Sequence, residues 1–233
     1  MRVTALDPFI NDVLLPNLGE LRRRHPDLVV LAAANMRFQS LTRREADIAI
    51  RYAAPEHPDH VGRRLCRVGS ALYASRDYVA RRGAPRHAKD LAGHDLVGLV
   101  PEYAGATAEQ WIAQHGRDAR VVVRASSPVV QLEAIRLGHG VGVHACHAAE
   151  RTEGVLRLSE ALLLSEEYWA IVHADMARAA RVRAVLDFLS ERTATEAERL
   201  SGVVLPSCRR CHRTAATGSQ DRGPGRVLAW FSS

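Results

Sequence analysis

Arg2-Val3-Thr4-Ala5-Leu6-Asp7-Pro8-Phe9 opens the chain and decides its architecture. A short strand runs straight into Asp7-Pro8, a helix start. An aspartate can cap a helix, and proline suits the first turn, whose N–H has no partner anyway. Ile10, Val13, Leu14, Leu18 and Leu21 then recur at spacings of three and four, which gives a helix to about Arg24 with one apolar face. Pro16 falls inside that helix and predicts a kink, because it deletes a hydrogen bond. His25-Pro26-Asp27 ends the helix. Leu28 to Ala34 reads as a second strand, Phe38 to Arg44 as a second helix, and residues 47–52 as a buried strand. Strand, helix, strand, helix, strand beginning at the first residue predicts an α/β ligand-binding domain, with no room upstream for another.

The alternation continues. Ala53 to Asp59 is a loop by composition, and Val61 to Ser75 reads as strand, turn, strand. Helices follow over Arg76–Arg82 and Ala108–His115, with a strand around Asp95-Leu96-Val97 between them and another over Arg120–Arg124. Ser126-Ser127-Pro128 caps a helix to Leu137, and Gly138 to Val143 turns it into a strand. Tyr168–His173 is a strand and Arg178–Arg192 a helix. Beyond about Leu200 the periodicity stops, and residues 201–233 read as a disordered tail.

This pattern predicts a largely parallel sheet covered on both faces, which binds ligands beyond the carboxyl ends of its strands. Those ends are Ala5 to Pro8, Ala34-Asn35-Met36, Arg51-Tyr52 and Ala125-Ser126-Ser127. Helix N-termini converge there, so the natural guest is a negatively charged or carbonyl-bearing small molecule. Asp7, Ser126 and Ser127 can cap helices, contact the ligand, or both. Arg51 can pair with an anionic ligand or with a nearby carboxylate, Glu45 or Asp47.

The formal charge of +6 and the pI near 9.6 suggest nucleic acid, but the distribution argues against it. Residues 201–233 hold a net +4, which leaves +2 for residues 1–200. Lys89 is the only lysine, so the basicity is arginine throughout and does not read as a phosphate-binding face. No apolar run reaches membrane-spanning length, and no basic segment with an apolar h-region opens the chain, so a cytoplasmic location is expected.

Cys66 and Cys146 sit in apolar runs and read as buried thiols, as Trp111 and Trp169 read as core. Cys208-Arg209-Arg210-Cys211-His212 matches the c-type haem attachment pattern, but the tail offers no apolar pocket, and Cys208, Cys211 and His212 fall one ligand short of a zinc site. In an extended strand His144 and Cys146 share a face while His147 points away, and no orienting group completes a nucleophilic pair. No metal, cofactor or enzymatic activity is expected.

Several pieces of this sequence, in order, are similar to one family. They include Arg2 to Phe9, Leu14-Leu15-Pro16-Asn17-Leu18, Arg23-Arg24-His25-Pro26-Asp27, Arg43 to Arg51, Leu72 to Tyr78 and Asp90 to Asp95. Leu137 to Val143, His173-Ala174-Asp175-Met176 and Arg181-Val182-Arg183-Ala184 complete the set. From Arg2 to about Arg192 the chain resembles the effector-binding domain of LysR-type transcriptional regulators. The resemblance implies a two-lobed fold like type 2 periplasmic-binding proteins, with an effector between the lobes. Lobe I would be residues 1–74 plus 172–200, and lobe II residues 75–171. The implied effector-binding residues are Asp7, Pro8, Asn35, Arg51, Ser126, Ser127 and His144, and the kink at Pro16 becomes a family feature.

Two features depart from the family. Its winged helix-turn-helix and linker helix are missing, so the chain is expected to be an isolated effector domain, a truncated product or a fragment, without direct DNA contact. After Gly142, Val143-His144-Ala145-Cys146-His147 replaces the family's leucine-proline turn. The expected function is a small-metabolite-sensing module, taking a small-molecule effector of anionic character. It would pair with a second copy, lobe I against lobe II, or with a regulator that carries a helix-turn-helix. The alternative is a solute-binding protein of an uptake system.

Overall fold

The computed structural model describes residues 1–34, 46–103 and 106–203. Asn35, the helix expected over Phe38–Arg44, and the tail from residue 204 with Cys208, Cys211 and His212 lie outside the described residues. The described elements begin with β1 (Arg2–Ala5), α1 (Asp7–Phe9), a π-helical turn (Ile10–Leu14) and α2 (Leu15–Arg24). There follow β2 (Leu31–Ala34), β3 (Ile48–Arg51), β4 (His60–Ser75), α3 (Arg76–Arg82), β5 (Asp95–Leu99), a 3-10 turn (Pro101–Tyr103) and α4 (Thr107–His115). The series continues with β6 (Arg120–Ala125), α5 (Pro128–Arg136), β7 (Gly142–Ala145), α6 (Cys146–Ala149), β8 (Val155–Arg157) and β9 (Leu164–His173). It closes with a 3-10 turn (Ala174–Met176), α7 (Ala180–Thr195) and α8 (Ala197–Ser201).

The fold is α/β, as the alternation predicts, with a mixed sheet in place of a largely parallel one. Parallel pairings join β1 to β2, β1 to β3, and β5 to β6. Antiparallel pairings come from two long strands: β9 pairs with β3 and β4, and β4 also pairs with β7 and β8. The larger sheet runs β2-β1-β3-β9-β4-β7, and Leu96 of β5 bridges to Val141 beside β7.

The strand–turn–strand reading of 61–75 is corrected. β4 is continuous, with only a register shift between Arg64 and Cys66. Gly69 lies opposite Ser165 in the ladder. It is a glycine because a Cβ there would stand 2.1 Å from the Ser201 carbonyl oxygen, so it admits a neighbouring backbone.

The proline in the first helix acts through the π turn. Leu15 N–H bonds to the Ile10 carbonyl, five residues back, and Pro16 sits in the first turn of α2. Proline has no N–H to give, and nearby carbonyls find other donors. Asp12 O accepts Arg199 Nη2 at 3.1 Å, and Val13 O accepts Asn17 Nδ2 at 2.8 Å. Asp7 is not the cap: Leu6 holds that position without a side-chain bond, and Asp7 is the first helical residue. Its charge still suits the positive end of the helix dipole.

Buried side chains form separate clusters. One packs Val3, Phe9, Leu14, Ile50, Tyr168 and Leu189 between the β1–β3–β9 sheet and helices α2, α7 and α8. A second gathers Leu72, Tyr78, Leu96, Trp111 and Val143, and a third Tyr73, Val97, Ile135 and Cys146. Cys66 and Cys146 are buried and free, and burial pushes the Cys66 thiol up to about 12. Trp111 is core, whereas Trp169 is only half-buried. Among the described residues no helix is long and apolar enough to cross a membrane.

Candidate functional site

Six strands deliver residues to one cavity of about 600 Å³. From the end of β1 come Leu6 and Pro8, from β3 Arg51 and Tyr52, from β5 Leu99, and from β7 Val143, His144 and Ala145. The 3-10 turn contributes Glu102 and Tyr103, the start of α4 contributes Thr107, and α5 contributes Pro128 and Gln131. Ser70 of β4 and Glu166 of β9 complete the polar lining. This is where an α/β sheet is expected to hold a ligand.

Of the residues predicted from sequence, Pro8, Arg51 and His144 line the cavity. Asp7 and Ser127 flank lining residues without being among them, and Ser126 lies one position further from the lining. Ser127 caps α5, accepting the Val130 N–H at 3.3 Å, and Ser126 is exposed. Asn35 lies outside the described residues.

Arg51 is 4% exposed. Its Nη1 donates to the carbonyls of Ile50 at 2.7 Å and Thr4 at 3.3 Å. Burial brings its guanidinium down to about 10, so it remains charged at neutral pH. Asp47, one of its two proposed partners, accepts the backbone N–H of Arg2 at 2.7 Å, and Glu45 lies outside the described residues.

His144 sits between two carbonyls, Nε2 at 3.0 Å from Pro128 O and Nδ1 at 3.3 Å from Ala145 O. The shorter contact assigns the proton to Nε2. Burial outweighs both carbonyls and lowers its pKa, so the ring is neutral at pH 7. The strand geometry expected for His144 and Cys146 does not hold, because β7 ends at Ala145 and Cys146 begins α6. The Cys146 thiol is raised by burial, while His147 Nδ1 lies 3.1 Å from Asp12 Oδ2. No nucleophile–base pair results.

Sequence reasoning missed most of the polar lining. Glu166 is half-buried, its carboxyl is raised by burial, and its one hydrogen-bond partner among the described residues is the Thr107 hydroxyl, at 2.8 Å. Gln131 is buried and donates to Val97 O at 3.2 Å; a polar residue on the inner face of α5 was the available signal. Tyr52 stacks on Tyr168 with ring centroids 4.8 Å apart and hydroxyls 3.2 Å apart. Glu109 positions the end of β5 by accepting the Leu99 N–H at 2.8 Å. Gly98 makes room for it, since a Cβ there would stand 3.1 Å from Glu109 Oε2.

A second cavity of about 510 Å³ shares Pro8 and His144 as a wall. Its charges are already paired: Asp12 with His147 at 3.1 Å and Arg151 at 3.7 Å, and Glu133 with Arg136 at 2.6 Å. A third, of about 910 Å³, lies beside Trp111 and His115, away from the strand ends. Among the described residues no group of three or more His, Cys, Asp or Glu is arranged to hold a metal ion.

Comparison with known proteins bears on this geometry. Residues 1–194 match the family model described as LysR substrate binding domain. The chain is 27% identical over 100 residues to the HTH-type transcriptional regulator CrgA of Neisseria meningitidis serogroup C (strain 8013), a match covering 43% of this chain and 33% of that protein. It thus spans about a third of that relative's length. The solved regulatory domain of N. meningitidis CrgA superposes with a TM-score of 0.72 at 22% identity, covering 82% of this chain and 97% of that one. The regulatory domain of Synechocystis PCC6803 CcmR, solved in complex with 2-PG, gives a TM-score of 0.69 at 16% identity, covering 82% and 95%. The chain belongs to the LysR substrate-binding domain family, the effector-binding regulatory domain of LysR-type transcriptional regulators.

Proposed function

We propose that this domain senses a small anionic metabolite in the 600 Å³ cavity and reports it by changing the arrangement of two lobes. The observation that carries the reading is a buried guanidinium, Arg51, at the convergence of four strand ends. The N-terminus of α5 lies on the same cavity and favours negative charge. In this reading Pro8, Arg51 and His144 touch the effector, Asp7, Ser126 and Ser127 form its rim, and Asn35 belongs to the same set. That CcmR's regulatory domain was solved with 2-PG is consistent with such a ligand.

The lobes are residues 1–74 with 172–200, and residues 75–171. The separate hydrophobic clusters support this division, with β4 and β9 serving as the two crossovers. An effector that prefers one lobe arrangement shifts the population toward it, and without that preference nothing is signalled. The domain acts in the cytoplasm, binds without transforming its ligand, and pairs with a second copy or with a regulator bearing a helix-turn-helix. Exposed apolar residues on two edges support side-by-side pairing: Leu31 of β2, with Val121 and Val122 of β6 and Val129 and Val130 of α5.

A metabolite screen by thermal shift tests the reading. Stabilising compounds are expected to carry an acid group and to bind the Arg51→Met protein at least tenfold more weakly, the loss of one charge-assisted contact. Binders indifferent to Arg51→Met would place the site elsewhere.

A further inference from the structure

A simple anion leaves the cavity's charge unbalanced. Among the described residues that line it, two carboxylates, Glu102 and Glu166, accompany one guanidinium, Arg51. His144 adds nothing, because burial keeps it neutral. A dicarboxylate would place one charge beside Arg51 and its second beside like charges, a costly arrangement in a partly desolvated site.

Glu166 is the informative group. An ionised carboxylate offers about four acceptor positions, and the Thr107 hydroxyl fills one. Glu166 is only half-buried and lines the cavity, so its remaining acceptor positions are available to the cavity's contents. The contact also puts Glu166 at the start of α4, so that helix's positive end is already matched by the protein's own carboxylate. The anion-favouring ground is then at Arg51 and α5, and the donor-seeking ground at Glu166. Arg51 pairs with Trp169 across the ladder, three residues from Glu166, which sets the two backbone positions roughly 10 Å apart along β9, and both side chains reach the cavity. The apolar part of the lining includes Leu6, Pro8, Leu99 and Val143.

We propose that the effector is amphoteric, a small molecule with an acid group held at Arg51 and a protonated amine held by Glu166, as in an amino acid. This rests on the cavity being the effector site, and it makes Glu166 the residue that separates amino acids from plain acids. Burial holds the Glu166 carboxyl above its ordinary range, and a bound ammonium would act against that shift.

Calorimetry on the full chain tests this with three matched probe sets: the twenty common amino acids, the same skeletons without the amino group, and the same without the carboxylate. Binders are expected among the amino acids, with loss of the amino group weakening binding roughly tenfold or more, the scale of a charge-assisted hydrogen bond. Glu166→Gln, which can still accept from Thr107, is expected to erase that preference without moving the unfolding midpoint, and Glu102→Gln to weaken it less. Amino-free acids binding as tightly as amino acids, or a preference that survives Glu166→Gln, overturns the inference; so does the absence of any binder in the three sets. If such acids bind and are lost in Arg51→Met, the cavity reading stands and only the amphoteric class falls. If binders ignore both substitutions, both readings fall.

Discussion

The two cavities that share Pro8 and His144 differ in how their polar groups are used. In the smaller one, Asp12 is held by His147 and Arg151, and Glu133 by Arg136. In the larger one, Glu166 has the Thr107 hydroxyl as its one side-chain partner among the described residues, and the contacts of Arg51 include Thr4 and the Ile50 carbonyl. Volume separates them little. The acceptor capacity left on Glu166 separates them better, and it supports the proposed ligand site in the larger cavity, with the smaller as a structural joint.

The most severe way to break this contrast is Asp12→Ala. The His147 side chain is fully buried, and its Nε2 already lacks a partner. Removing its carboxylate is expected to cost about 2–3 kcal/mol of stability, as when a buried polar partner is lost. The measure is a urea midpoint shift at constant slope, with ligand affinity per folded molecule unchanged. A stable variant that has lost its ligand would reverse the assignment of the two cavities.

Acid sharpens the contrast at the shared wall. His144 has a lowered pKa in the fold, so below its unfolded value of about 6.5 the unfolded chain takes up a proton that the fold refuses. Stability should be complete above that pH and fall as pH drops through it, by up to about 1.4 kcal/mol per pH unit. His144→Gln should flatten the profile between pH 7.5 and 5.5. Glu166 and Glu109 act with the opposite sign at lower pH, because their raised carboxyls bind protons in the fold before the unfolded chain does.

The smallest test separates a cap from a contact. Ser127→Ala removes the bond to Val130 N–H and should cost about 1 kcal/mol or less, with ligand binding unchanged within twofold. A large loss of binding with intact stability would put the Ser127 hydroxyl on the ligand.

What the sequence made legible is what depends on neighbours along the chain. Ser127-Pro128 announces α5 because capping is local, and Arg51 is visible as a charge closing an apolar strand. Glu166 was missed because Leu164-Ser165-Glu166-Glu167 carries no apolar alternation, and its extended form comes from pairing with Val68, nearly a hundred positions away. The Asp12–His147 pair is separated by 135 residues, so no spacing rule reaches it. The continuity of β4 was missed for a related reason: the backbone that Gly69 admits belongs to Ser201, far along the chain.

The last short helix sets where this folding unit stops. Leu200 is fully buried, Arg199 covers the Asp12 carbonyl beside the proline, and Gly202 turns left-handed so tightly over Cys146 that a Cβ would stand 2.6 Å from its sulfur. Family similarity fades at residue 194, before any of these. A recombinant piece trimmed there would strip the plug from one hydrophobic cluster, strand a carbonyl and wet a thiol, so the shortest well-behaved version ends after Gly202.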